Sequence, residues 1–229
     1  MKIVFLNLYY GEFEKELIGF INEQKTNTDV FCFQESADKL QPVLVDNLGE
    51  YTNFTIHKFI NIDDDYFQST FVRNNLRVSN VNDLFMKEQS LGLETDIQIE
   101  NKQRKLWLGN IQGFARPGSK LDTPDRISQS KQVIERFSQF EGAKIIGGDF
   151  NLAPETLSVT MFEDAGYRNL ISDYMIKTTR NRIIWEKYPE TKQYFADYVF
   201  VSPEVKVTDF KVIENEISDH LPMILEIEI

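Results

Sequence analysis

Three short apolar runs that each stop at polar residues restrict the fold of this chain more than anything else in its sequence. Residues 2–8 (KIVFLNL) run to Asn7, residues 29–34 (DVFCFQ) lead to Glu35, and residues 143–148 (AKIIGG) lead to Asp149. Runs this short and this rich in Ile, Val and Phe read as buried strands rather than helices. Between the first two, Phe13, Leu17, Phe20 and Ile21 recur at helical spacing, which predicts an amphipathic helix over 12–25. A second helix is expected over 38–48, with Leu40, Leu44 and Leu48 on one stripe and Pro42 tolerated in the first turn.

From 51 to 112 the texture is that of β-structure, with strands expected at 51–60, 66–73, 91–100 and 105–112. Segment 91–100 sets Leu91, Leu93, Ile97 and Ile99 against Glu94, Asp96, Gln98 and Glu100, the pattern of a half-exposed antiparallel strand. Turns are expected at Asn74-Asn75 and Glu100-Asn101-Lys102. After a loop at 113–122, Thr123 as N-cap, Pro124 and Asp125 start a helix running to about 140. A further helix is expected from Pro154 to about Ala165, and strands at 195–202, 205–213 and 221–229. No repeat, low-complexity tract or linker interrupts the 229 residues, so one domain is expected over 1–229, two stacked sheets covered by helices.

Acids outnumber bases 36 to 25, a net charge of −11, so any basic surface is local. That weighs against indiscriminate grip on duplex DNA and for a small phosphorylated substrate, although a bound divalent cation inverts the local field. The single cysteine, Cys32, lies in VFCF and reads as a buried small hydrophobe, as expected in a reducing compartment. No apolar run approaches the roughly 18 residues of a membrane span, and the N-terminus lacks a signal peptide's features. A cytoplasmic monomer without membrane attachment is the expectation.

Each polar residue at a strand end, taken alone, is more often a helix cap or solvated turn than a site. Taken together, FLN at 5–7, FQES at 33–36, GGDFN at 147–151, ADYVFVS at 196–202 and SDHLP at 218–222 resemble the endonuclease/exonuclease/phosphatase superfamily in wording and order across essentially the whole chain. The resemblance implies a four-layer α/β sandwich of two stacked mixed β-sheets flanked by helices, acting as a Mg²⁺-dependent phosphoric ester hydrolase with Mn²⁺ as a possible substitute. It implies Glu35 as principal metal ligand with Asn7 beside it. It assigns Asp149 and Asn151 to the nucleophile and the phosphate, and pairs Asp197 with His220.

The residue types suit that chemistry independently. Mg²⁺ takes carboxylate and amide oxygens and keeps several waters. Asp149 is the candidate base for the attacking water, and Asn151, one residue beyond Phe150, points the same way if the segment is extended. Asp197 would orient His220 and favour its imidazolium against a phosphate, and Asp219 is a further metal neighbour. His57, in TIHKF, reads instead as a packing or surface residue.

Two departures from the family stand out. Many members carry Asn-x-His where this chain has Asn110-Ile111-Gln112. Both Asn110 and Gln112 could reach the phosphate from one strand face, but Gln112 cannot act as acid or base. Tyr9 also stands where abasic-site endonucleases carry an acid. Arg116, Lys120, Arg126 and Arg180 are candidate phosphate clamps or solvated loop charges, with an Asp122 ion pair the expectation for Arg126. The substrate is a phosphate ester, nucleic acid or small molecule. The alternative is a catalytically silent member that binds a nucleotide or partner, which Gln112 would explain.

Overall fold

The computed structural model describes residues 1–61, 64–86, 89–99 and 104–228. In chain order the first half contains β1 (Lys2–Asn7), α1 (Glu14–Gln24), β2 (Val30–Ser36), α2 (Leu40–Asn47), β3 (Tyr51–Asn61), β4 (Asp64–Arg73), β5 (Arg77–Met86), β6 (Gln89–Ile99) and β7 (Arg104–Gln112). The second half contains α3 (Pro124–Ser138), β8 (Ala143–Asp149), α4 (Leu157–Asp164), β9 (Arg168–Asn169), α5 (Leu170–Asp173), α6 (Arg182–Lys187), β10 (Asp197–Val201), β11 (Lys206–Val212) and β12 (Met223–Glu228).

The strands form two six-stranded mixed sheets, ordered β11-β12-β1-β2-β4-β3 and β5-β6-β7-β8-β10-β9. Pairing is parallel at β1–β2 and β7–β8 and antiparallel elsewhere. Period two along β1 explains the layers. Ile3 and Phe5 join the core that meets the second sheet, while Val4 and Leu6 pack with Leu17, Phe20, Ile21, Leu40 and Leu44 of α1 and α2. On the far side, Val133 and Phe137 of α3 and Val159 and Phe162 of α4 cover the second sheet. The result is the expected four-layer sandwich. Among the described residues, no helix is long and apolar enough to cross a membrane.

Two glycines let the sheets close over the site. A Cβ on Gly147 would lie 2.7 Å from the Phe5 ring, so this position leaves room for Phe5 between the sheets. Gly148 has φ +134°, and a Cβ there would lie 2.2 Å from the Ile111 carbonyl oxygen.

Some local expectations need correction. The polar face of β6 is not half-exposed: Glu94 and Asp96 are buried. Arg136 of α3 grips Glu94 at 2.6 and 3.0 Å, Ser79 donates to Asp96 at 2.5 Å and Lys105 lies 3.6 Å from it, so hydrogen bonds and charge pairing replace solvent on that face. The expected turn at Glu100–Lys102 lies outside the described residues, as do the side chains of Leu91, Gln98, Ile99 and Glu100. Helix α4 starts at Leu157 rather than Pro154, because Asp122 accepts from the Leu157 and Ser158 amides at 2.7 and 3.1 Å. Helix α3 begins as expected, with Thr123 accepting from the Arg126 amide at 3.2 Å.

Candidate active site

The site is the place where the inter-sheet core changes from apolar to polar. Along β1 the inward series Ile3, Phe5 continues to Asn7. On β8 Gly147, which abuts Phe5, is followed two residues on by Asp149. The antiparallel register sets Asp197 of β10 opposite Asp149, and the parallel register sets Gln112 of β7 beside it. Glu35 belongs by parity to the helix-facing side with Phe31 and Phe33. A bulge between Phe33 and Ser36, with Glu35 at φ +47°, turns its carboxylate toward the cluster instead.

Asp149 is the hub. It accepts from Asn7 Nδ2 at 3.0 Å, Asn151 Nδ2 at 3.1 Å, the Asn151 amide at 2.8 Å and Gln112 Nε2 at 3.3 Å. Gln112 also donates to Glu35 Oε1 at 2.9 Å, so one amide holds two carboxylates. Asn151 converges on Asp149 by a different route from the expected extended segment. It sits at φ +57°, and a tight turn closed by its own amide brings the side chains together. Phe150 between them is buried against Phe162, Tyr198 and Phe200.

His220 presents Nδ1 to both Asp197 carboxylate oxygens at 2.9 Å and turns Nε2 toward Asp149 Oδ2 at 3.8 Å. The hydroxyl of Ser218 fixes this loop, donating to the Asn7 carbonyl at 2.7 Å and accepting from the His220 amide at 3.1 Å. Arg180 bridges backbone to backbone with His220 and pairs with Asp219 at 2.5 Å.

Electrostatics follow from this crowding. Burial and the adjacent Asp149 carboxylate push Glu35 up to about 7, against the pull of His220. Burial alone would raise Asp149, but His220, Lys120 and Arg180 hold it below the usual carboxylate range. Burial raises Asp197 despite His220. Burial and Arg180 oppose protonation of His220, yet Asp197, Asp219 and Asp149 raise it above its ordinary value.

The residues fit a hard divalent cation. The Glu35 and Asp149 carboxylates share one Gln112 donor, and Asp149, Asp197 and His220, whose polar atoms lie within 4.8 Å of one another, close the adjoining side of the cluster. Asp219 Oδ1 and Gln112 Oε1 are buried without a hydrogen-bond donor among the described residues. Unsatisfied buried oxygens beside mutually repelling carboxylates are what such an ion would relieve.

Not every expected residue joins the cluster. Asn110 is fully buried one rung deeper, where it accepts from Gln34 at 2.6 Å and donates to the Ser69 carbonyl at 3.0 Å. Its polar atoms tie the two sheets together rather than facing a substrate. Arg116 is exposed on the 113–122 loop, outside the buried cluster. Arg126 is buried and donates to the carbonyls of Phe114, Ala115, Pro117, Ser119 and Leu121, not to Asp122. His57 is half-exposed, paired with Asp65 at 2.6 Å and stacked on Phe67. Lys120, read as an ambiguous loop charge, proves central: its ammonium donates to Asn151 Oδ1, and desolvation lowers its pKa.

Asp149 thus stands among Asn7, Gln112, Asn151 and His220, a set drawn from four separated stretches of chain, and the sequence matches the Endonuclease/Exonuclease/phosphatase family over residues 7–220. The chain belongs to this family. The endonuclease/exonuclease/phosphatase fold is shared with a family member from Bacteroides vulgatus at a TM-score of 0.76 and 14% identity, covering 99% of this chain and 98% of that one. A mannosyl-6-phosphatase from Bacteroides thetaiotaomicron superposes at a TM-score of 0.73 and 16% identity, with 100% of both chains covered. D. rerio TDP2 in complex with a single-stranded DNA product does so at 0.70 and 13%, covering 100% and 99%. At these identities the likeness shows the fold alone. No curated protein matches the sequence.

Proposed function

We propose that this protein hydrolyses a phosphate ester with the help of a divalent cation, Mg²⁺ or in its place Mn²⁺. The observation that carries the reading is the position of Asp149, buried and surrounded by three amide side chains and His220. Glu35 would hold the cation, with Asn7 and Asp219 beside it. When bound, the cation supplies charge neutralisation at the phosphate and at the leaving oxygen.

The chain's own residues account for the rest. Asp149 is held deprotonated by its cationic neighbours, and its carboxylate orients a water and takes the water's proton as it attacks phosphorus. Asn151 and Lys120 present an amide and an ammonium to the phosphate oxygens. Asp197 keeps a proton on Nδ1 of His220, so the imidazolium can face the phosphate through Nε2. Arg180 pairs with Asp219 and holds it in place.

Gln112 favours a second reading, a silent member that binds a nucleotide or partner, since an amide performs no acid–base chemistry. Its hydrogen bonds to Glu35 and Asp149 support the catalytic reading instead, because they give it a positioning role. A panel of abasic duplex, single-stranded DNA, RNA, inositol phosphates and phosphosugars, assayed in Mg²⁺ and in EDTA, separates the two. EDTA-sensitive product release from at least one substrate is expected. Binding of a nucleotide with no release from any would overturn the catalytic reading.

A further inference from the structure

Beside the catalytic cluster lies a cavity of about 710 Å³, formed where the 113–122 loop, the 153–155 turn and the 191–195 segment meet. Its size suits a small organic ligand. Lys120 belongs to both places: its ammonium reaches Asn151 in the cluster, and it lines this cavity. The walls are braced. Gln193 Nε2 donates to the Gly118 carbonyl at 2.7 Å, and the Ala153 amide donates to the Lys120 carbonyl at 2.7 Å. The Tyr194 carbonyl accepts from the Thr179 amide at 2.8 Å and the Thr178 hydroxyl at 2.7 Å, next to Arg180.

The chemistry of the lining is distinctive for so acidic a chain. Lys120, Lys177 and Lys192 line the cavity, against one carboxylate, Glu155. Tyr194 stands on the wall 48% exposed, its ring packed against that of Trp185 at 5.0 Å between centroids and 48° between planes. A half-exposed aromatic ring held by a neighbouring ring is a stacking surface for a planar group, and lysines at its margin attract an anionic group.

We propose that this cavity is a specificity subsite for a nucleotide unit: its base lies on Tyr194, and a second phosphate, distinct from the one at Asp149, is held by Lys177 and Lys192. The proposal rests on the phosphoesterase reading for the role of the site and names its substrate class. Lys120 sits between the two phosphate positions and links recognition to the reacting group.

The test measures binding and turnover separately on the full chain. Equilibrium binding of adenosine 3′,5′-bisphosphate, AMP and ribose 5-phosphate is measured by calorimetry for the wild type, the double variant Lys177→Gln/Lys192→Gln, and Tyr194→Ala. The bisphosphate is expected to bind the wild type about ten-fold more tightly than AMP, a preference that the double variant loses while its affinity for AMP is unchanged. Tyr194→Ala should weaken both adenine ligands several-fold and leave ribose 5-phosphate unaffected. Asp149→Asn should abolish turnover without removing the bisphosphate preference. Equal binding of AMP and the bisphosphate, or a preference that survives in the double variant, overturns the subsite. Absence of turnover in the wild type with the preference intact overturns only the phosphoesterase reading.

Discussion

Replacing Arg126 by Met tests how the loop that carries Lys120 is held. The guanidinium is buried and donates to five backbone carbonyls of residues 114–121, at 2.5 to 3.2 Å. Methionine fills a similar volume but offers no donor, so all five acceptors are released together. An orphaned buried carbonyl costs about 1–3 kcal/mol. Residues 115–119 are exposed, however, so water recovers most of them when the loop opens. The net loss should be about 2–4 kcal/mol, which for a chain of this size lowers the melting temperature by about 5–15 °C. Hydrogen exchange should localise the effect, with amides of 113–122 losing protection while β1, β2 and β8 keep theirs. Activity should fall as well, because Lys120 leaves Asn151. Arg126→Lys should rescue only partly, since an ammonium has three donors in place of five. If Arg126 acted as a phosphate clamp, Met would raise KM and leave loop exchange untouched. Loop protection and melting temperature equal to wild type in Arg126→Met would refute the reasoning.

Two further predictions concern individual hydrogen bonds. Burial works against ionisation of Asp122, but donation from the Ser158 hydroxyl and from the Ser158 and Leu157 amides holds its pKa below the usual value. A depressed folded pKa contributes stability that is present above the unfolded carboxyl's pKa and lost as pH falls through the lower folded value. Asp122→Ala should therefore cost about 1–2 kcal/mol at pH 7, with a gap from wild type that shrinks below pH about 4; urea titrations at pH 7 and pH 3 showing the same gap would contradict this. Gln112→Ala removes the shared donor between Glu35 and Asp149, so calorimetric Mn²⁺ affinity and kcat/KM should each fall by about 10–100-fold, and unchanged values would remove its positioning role.

Much of the architecture was legible because its cues are local. Alternation along β1, β2 and β8 marks buried strands, and Thr123-Pro124 marks the start of α3. The edge strand β5 escaped because RVSNVNDLFM mixes Asn and Asp into its pattern and pairs with β6 alone. The short elements between 168 and 187 are too brief for periodicity. Their one cue was Asn169 and Asn181, each of which accepts from the amide two residues on. At the site, strand parity correctly grouped Asn110 with Gln112, but parity does not report depth, and one rung separates an inter-sheet tie from the cluster. Parity also misplaces Glu35, which a bulge redirects. Lys120 had no local signal, since its position depends on a loop folded around a buried arginine six residues later.

The central claim is that Asp149 serves the attacking water within a metal-dependent hydrolysis. It is tested most directly by single-turnover hydrolysis of the best substrate by wild type and Asp149→Asn, in Mg²⁺ and with folding verified by melting. Asparagine keeps the shape and, with its oxygen in the Oδ2 position, three of the four accepted hydrogen bonds, but cannot take a proton. The account predicts a fall of about 10²–10⁴-fold in the chemical step with substrate affinity largely kept. A single-turnover rate within a few-fold of wild type would contradict it.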